Sequence, residues 1–159
     1  MSTQSAPIKF GFPDKTHELF PQTVVLETTN VCNLRCIHCP QGQGYPERAD
    51  YHPDYMAWDV FTKLIDEIAQ HKISLLRISP AGEALVHPQF LDQIAYIVDH
   101  AGDEVLCFDL GFVELVAALA PRCPKVKTWV ALCEEAQRPQ IPGVTVLAYE
   151  CLLAAAKPD

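Results

Sequence analysis

Short apolar runs alternate along the chain with longer stretches in which apolar residues recur at helical spacing. The runs predict strands at 24–28, 74–79, 104–108, 126–132 and 144–147. The helical spacing predicts helices at 60–69, 89–100, 112–119 and 150–157, the first capped by Asp59 and the second stopped by Gly102. Strand and helix alternate throughout, which favours an α/β fold with an open, mainly parallel sheet and flanking helices. About five strands are too few to close a barrel.

Three segments follow from this alternation. Residues 1–23 contain three prolines and no sustained periodicity, so they predict an extended arm. Residues 24–90 form a first β-loop-α-β unit, and residues 91–159 continue the alternation. A chain of 159 residues with 49% apolar content can bury one core and hardly two. We therefore expect the last segment to pack on the same sheet as the second.

Charge and composition narrow the classes of partner. The net charge is -8 and the isoelectric point is near 5.1, which argues against nucleic acid because no basic stripe is available for phosphates. The sequence has no apolar run of membrane-spanning length, and residues 1–10 lack the order of a secretion signal. Seven cysteines favour a reducing compartment, so the expected location is the cytoplasm, with no membrane partner.

The most informative motif is a group of three cysteines directly after the first predicted strand. Cys32, Cys36 and Cys39 have the spacing C-x3-C-x2-C and are followed by Pro40. Thiolates are soft ligands, and short spacings let successive sulfurs converge on one centre. An odd trio of such close neighbours does not suit a disulfide framework. Three thiolates on an iron-sulfur cluster leave one iron open to a small molecule, whereas a closed structural zinc site needs a fourth ligand.

This motif resembles the cluster loop of the radical S-adenosylmethionine (radical SAM) enzymes, and the resemblance covers about residues 20–90. The flanking residues that share it are Glu27, Thr29, Asn30, Asn33, Leu34 and Arg35. The resemblance implies that Cys32, Cys36 and Cys39 hold a [4Fe-4S] cluster whose open iron binds S-adenosylmethionine. It also implies that His38 lies against the adenine. Two alternatives stay open, namely a zinc site with His38 or His52 as fourth ligand and a loop that binds no metal.

A second segment of this resemblance follows the second predicted strand. PAGEALVHPQF, residues 80–90, is similar to the segment in which radical SAM enzymes carry Gly-Gly-Glu-Pro. The resemblance implies that Gly82 and Glu83 contact the amino group of S-adenosylmethionine. Ala81 and Ala84 replace the first glycine and the proline of that pattern. The alternative for Glu83 is a solvated loop carboxylate, which is common after a strand.

From about residue 93 to residue 159 the resemblance changes. This part is similar to a fragment of the amino-terminal subdomain of AMP-forming acyl-CoA ligases, but it lacks the Ser/Thr/Gly-rich phosphate loop of that family. The sequence therefore has a chimeric pattern, with the join near LVHPQFLDQIA, residues 85–95. A natural fusion and a gene-prediction artefact are both open explanations.

The sequence thus predicts a truncated radical SAM protein that cleaves S-adenosylmethionine reductively to a deoxyadenosyl radical. The resemblance implies a low-potential electron donor of the flavodoxin or ferredoxin type and a small-molecule or peptide substrate of unknown identity. The later strands that carry substrate contacts in the family are missing, so whether the chain is an enzyme by itself stays open, as does a partner chain that completes the fold. The alternatives are a non-catalytic iron-sulfur or zinc module and an inactive remnant with a ligase-like tail.

Overall fold

The computed structural model describes residues 20–39, 52–78 and 82–156, so most of the predicted amino-terminal arm lies outside the described residues. The strands are β1 (Thr23–Leu26), β2 (Leu75–Ile78), β3 (Val105–Phe108), β4 (Thr128–Ala131) and β5 (Val146–Ala148). The helices are α1 (Trp58–Ala69), α2 (Phe90–Ala101), α3 (Val113–Leu119) and α4 (Tyr149–Ala155). All five predicted strands and all four predicted helices are present within a few residues of their expected bounds. The α/β class is confirmed.

All the strand pairs are parallel. β1 pairs with β2, and Val25 lies opposite Arg77. β4 lies between β3 and β5, and Ala131 lies opposite both Phe108 and Ala148. Among the described residues these pairings make two sheets, of two and three strands, where the sequence predicts one continuous sheet.

Helix packing explains how the two sheets are joined. Among the described residues the larger core has thirteen buried residues, including Trp129, between α2, α3 and the three-stranded sheet. Within the same segments the smaller core has four, Leu26, Phe61, Ile65 and Ile68, between α1 and the two-stranded sheet. α2 packs on both cores, through Ile94 on the larger and Ile97 on the smaller. A shared helix therefore connects the sheets in place of a hydrogen-bonded ladder.

The helix ends agree with the sequence in one case and differ in another. Gly102 ends α2 with φ 68° and ψ 31°, the left-handed conformation that glycine adopts at low cost. Asp59 does not cap α1, because the cap position is Ala57 and Asp59 is the second residue of the helix, in its first turn. There its carboxylate still complements the positive end of the helix dipole. In the described segments no helix combines the length and apolar character needed to cross a bilayer.

Candidate functional site

The cysteine loop leaves the carboxyl end of β1 and lies mostly at the surface. Cys32 and Cys39 are half-buried and Cys36 is exposed, and all three are free thiols. The amide of Leu34 donates a hydrogen bond to Cys32 Sγ at 3.4 Å, and the amide of Cys39 donates to the Cys36 carbonyl at 3.1 Å. Backbone N–H bonds to sulfur are among the contacts that tune thiolate ligands of iron-sulfur clusters.

Gly82 packs directly on the start of this loop. A Cβ atom at Gly82 would lie 2.1 Å from the Thr29 carbonyl oxygen and 2.9 Å from the Val31 carbonyl oxygen. Both distances are too short for any side chain, and the obstructing atoms are backbone. Only glycine allows the chain after β2 to approach the chain after β1 this closely. The contact places two of the sequence-predicted segments side by side.

Glu83 is joined to the same segment by its backbone. Its amide donates to the Val31 carbonyl at 2.9 Å. Its side-chain Oε1 accepts a hydrogen bond from the Leu85 amide at 3.1 Å and caps the short 3-10 turn Ala84–Val86. The carboxylate is therefore held at the edge where the cysteine loop begins, and one of its oxygens already has a partner.

Two side chains attach the segment before α1 to the base of the cysteine loop. Asn30 donates to the His52 carbonyl and accepts from the Asp54 amide, both at 2.8 Å. The Thr29 hydroxyl donates to the Asp54 carbonyl at 2.8 Å and accepts from the Val31 amide at 3.0 Å. Thr29 also pairs with Tyr55 in an isolated antiparallel bridge. Three chain segments, 28–31, 52–56 and 82–83, thus meet at one place.

The described residues contain no group of three or more His, Cys, Asp or Glu side chains close enough to hold a metal ion. The three thiols therefore do not converge in this conformation of the loop. Their donor chemistry still fits a thiolate-bound cluster, because all three are free and Cys32 Sγ already accepts an N–H bond. Binding a cluster requires the exposed part of the loop to close.

The remaining predicted site residues have simpler surroundings. His38 is exposed on the loop, and His52 is exposed next to the Asn30 contact. Of the other four cysteines, Cys123 and Cys133 are buried and Cys107 and Cys151 are exposed. Burial raises the pKa of Cys123, and a hydrogen bond to the Glu135 carboxylate raises the pKa of Cys151. Neither thiol is therefore activated as a nucleophile.

Sequence reasoning missed two residues that contact His87 next to the Glu83 turn, namely Gln93 and Tyr55. Gln93 is fully buried, and its Nε2 lies 3.3 Å from His87 Nε2. The ring of Tyr55 stands edge-on to His87, with centroids 5.1 Å apart. Gln93 could have been found in the sequence, because it falls on the apolar face of α2 between Phe90 and Ile97, where a polar residue needs a buried partner.

Two curated proteins are similar in sequence to a part of the chain. A medium-chain-fatty-acid–CoA ligase of Ectopseudomonas oleovorans is 35% identical over 66 residues, which are 40% of this chain and 12% of the ligase. A 3-methylmercaptopropionyl-CoA ligase of Ruegeria lacuscaerulensis is 42% identical over 57 residues, which are 35% of this chain and 11% of that ligase. The chain thus has a local similarity to acyl-CoA ligases and spans about an eighth or less of their length. The sequence matches no model of a known protein family.

A solved structure gives a broader likeness. The crystal structure of BtrN in complex with AdoMet and 2-DOIA matches with a TM-score of 0.50 and 10% identity, over 86% of this chain and 60% of BtrN. At this identity the likeness establishes a shared α/β fold. It extends over far more of the chain than the ligase matches do, so one fold accounts for most of the molecule.

Proposed function

We propose that this chain binds a [4Fe-4S] cluster and S-adenosylmethionine and supports the reductive cleavage of S-adenosylmethionine. The observation that carries the proposal is the contact of Gly82 and Glu83 with the base of the cysteine loop. The sequence motif and the fold support it independently, since a protein that shares this fold was crystallised with AdoMet, which is S-adenosylmethionine. The chain covers only part of that protein, so the activity is a proposal for this chain.

In this proposal Cys32, Cys36 and Cys39 hold the cluster. The chemistry that the cluster supplies when bound is transfer of one electron to a sulfonium, from an external donor of low potential. The Leu34 amide stabilises negative charge on Cys32 Sγ. The loop lies at the carboxyl end of β1, where ligands of parallel α/β sheets bind.

Glu83 and Gly82 orient S-adenosylmethionine. The carboxylate of Glu83 would accept a charge-assisted hydrogen bond from the ligand ammonium, and its Oε1 accepts one from the Leu85 amide. Gly82 fixes the separation between this carboxylate and the loop, because its missing side chain sets how closely the two segments approach. His38 would lie against the adenine of the bound cofactor. Asn30 holds the segment 52–54 against the loop base.

The test begins with iron, acid-labile sulfide and zinc per chain after anaerobic reconstitution. We expect near-stoichiometric cluster in the natural sequence and its loss in Cys36→Ala. Cys107→Ala is the matched control, because Cys107 is also an exposed free thiol but lies outside the loop. Zinc alone, or no metal in a folded sample, would contradict the proposal and favour a zinc module or an inactive remnant.

The second stage adds S-adenosylmethionine and a chemical reductant to the cluster-loaded protein. Formation of 5′-deoxyadenosine is expected, and Glu83→Gln should weaken S-adenosylmethionine binding without removing the cluster. Glu135→Gln is the matched control, because it removes an exposed carboxylate from the other end of the chain. Cluster binding without cleavage would leave the non-catalytic iron-sulfur module as the function.

A further inference from the structure

A polar cluster, of which two members are buried, adjoins the Glu83 turn and is not used by the proposed chemistry. We call it the His87 cluster, consisting of Tyr55, His87, Gln89 and Gln93. His87 is 4% exposed and Gln93 is 0% exposed. Buried polar groups are costly unless they are hydrogen-bonded, so the cluster needs a defined arrangement of protons.

The contacts of His87 fix its tautomer. The Gln89 amide donates to Nδ1 at 3.0 Å, so Nδ1 carries no proton and the neutral ring is protonated at Nε2. The Nε2–H then points at the Gln93 amide group, 3.3 Å away. With Gln93 Oε1 turned toward His87, this N–H has an acceptor. In this orientation Oε1 gains a partner, and Nε2 takes the position that has no partner among the described residues.

The cluster touches both of the segments that form the site. The His87 amide donates to the Ala84 carbonyl at 3.0 Å and ends the turn that Glu83 caps. The His87 ring meets the edge of Tyr55, and Tyr55 pairs with Thr29, on whose carbonyl Gly82 packs. His87 therefore contacts α2 on one side. On the other side it contacts Tyr55, which pairs with the base of the cysteine loop.

We propose that His87 is a positioning residue that holds the Glu83 turn against residues 29–31. Gln93 orients the ring from α2, and the ring in turn supports Tyr55 and the turn. This inference rests on the proposed function for its consequence, which is that His87 sets the affinity for the amino group of S-adenosylmethionine. Independently of any ligand, the inference means that His87 keeps the hydrogen bond between the Glu83 amide and the Val31 carbonyl closed.

The first test measures hydrogen exchange of the Glu83 amide in the full chain without any ligand. In His87→Ala we expect exchange at Glu83 to rise about tenfold, the scale of one lost hydrogen bond. The amide of Leu132, which donates to Phe108 beside β4, should keep its rate. A merely structural role would raise both rates together. Unchanged exchange at Glu83, or an equal rise at both amides, would overturn the inference.

A conservative variant keeps the inference testable if His87→Ala fails to fold. His87→Asn offers an amide oxygen near the position of Nδ1, so it can still accept from the Gln89 amide while losing the contacts with Gln93 and Tyr55. We expect an intermediate rise in exchange at Glu83. Exchange as slow as in the natural sequence would show that the ring contacts do not position the turn.

The second test measures S-adenosylmethionine affinity in the cluster-loaded protein. His87→Asn should weaken binding several-fold while iron and sulfide contents stay the same. Equal affinity in the two proteins would overturn the inference. If the natural sequence binds no S-adenosylmethionine, the proposed function fails, and the exchange experiment alone decides whether His87 positions the turn.

Discussion

The two cores differ in what holds them together. Around the larger core, thirteen buried residues and three parallel strands stabilise the carboxyl-terminal part of the chain. Around the smaller core, four buried residues and two short strands are supplemented by polar contacts of Thr29, Asn30 and Glu83. The candidate site lies in the part of the chain around the smaller core.

The parts of the chain around the two cores differ in their roles. The larger core is a scaffold, and among the described residues of this part Cys123 and Cys133 are buried, Cys151 is paired with the Glu135 carboxylate and Cys107 is exposed. The part around the smaller core carries the cysteine loop, in which the described residues form no group that could hold a metal ion. α2 contacts both, so the scaffold supports the site mainly through one helix.

Trp129→Ala should have the largest effect on stability. Trp129 is 1% exposed at the centre of the larger core, and truncating such a residue leaves a cavity that costs about 3–5 kcal/mol. The free energy of unfolding from urea denaturation measures this loss. Trp58→Ala is the matched control, because Trp58 is only half-buried and packs on the smaller core. Equal losses in the two variants would remove the energetic distinction between the cores.

Gly82→Ala should have the next largest effect and should act on the site. The new methyl group would overlap the Thr29 carbonyl, and forcing extra atoms into such a contact costs about 1–3 kcal/mol. We expect lower stability and a reduced cluster content after reconstitution, because the turn must move away from the loop. Chemical denaturation and iron analysis measure the two effects.

Gly111→Ala provides the comparison for that experiment. A Cβ at Gly111 would approach only the side-chain Oδ1 of Asp109, at 3.3 Å, and this group can yield slightly. Stability and cluster content should stay close to those of the natural sequence. If Gly82→Ala and Gly111→Ala behave alike, the packing of Gly82 on the loop base is not required.

Local signals predicted the elements well. The helical spacing gave α2, and Gly102 ends it with the expected left-handed conformation. The apolar runs gave β1 and β2, whose parallel pairing brings the cysteine loop and Glu83 to one edge. These features depend on periodicity and on backbone preferences that nearby residues determine.

Long-range contacts could not be predicted in the same way. The division into two sheets depends on which helix faces pack together, and α2 is apolar enough to serve both cores. The link from Asn30 to His52 and Asp54 joins residues more than twenty positions apart, and no local pattern encodes it. The state of the three thiols also depends on loop closure, which the spacing of the cysteines does not determine. Gln93 was the one missed residue with a usable signal.

A polar contact between α1 and α2 supplements the apolar link between the two parts. The Tyr96 hydroxyl donates to Asp66 Oδ1 at 2.7 Å, and His100 Nε2 lies 3.2 Å from the same oxygen. His100 Nδ1 lies 2.8 Å from the Tyr96 carbonyl. Because both ring nitrogens face acceptors, a protonated ring satisfies both contacts.

Asp66→Asn should produce the smallest of these effects, a change in the titration of Tyr96. The hydrogen bond to the Asp66 carboxylate raises the pKa of Tyr96 above its ordinary value, because it favours the protonated phenol. The substitution should move this titration to lower pH, as measured by ultraviolet difference titration against Tyr96→Phe.

A raised pKa of Tyr96 in the folded state means that its contribution to stability is complete below the pKa of the unfolded chain. The contribution disappears as the pH rises through the pKa of the folded chain. The natural sequence should therefore lose stability in the alkaline range by an increment that Asp66→Asn lacks. Asp99 lies on the same helix as Tyr96, and its carboxylate pairs with Lys125. Asp99→Asn should leave the titration of Tyr96 unchanged. An unchanged Tyr96 titration in Asp66→Asn would mean that the hydrogen bond between Tyr96 and Asp66 does not link α1 to α2.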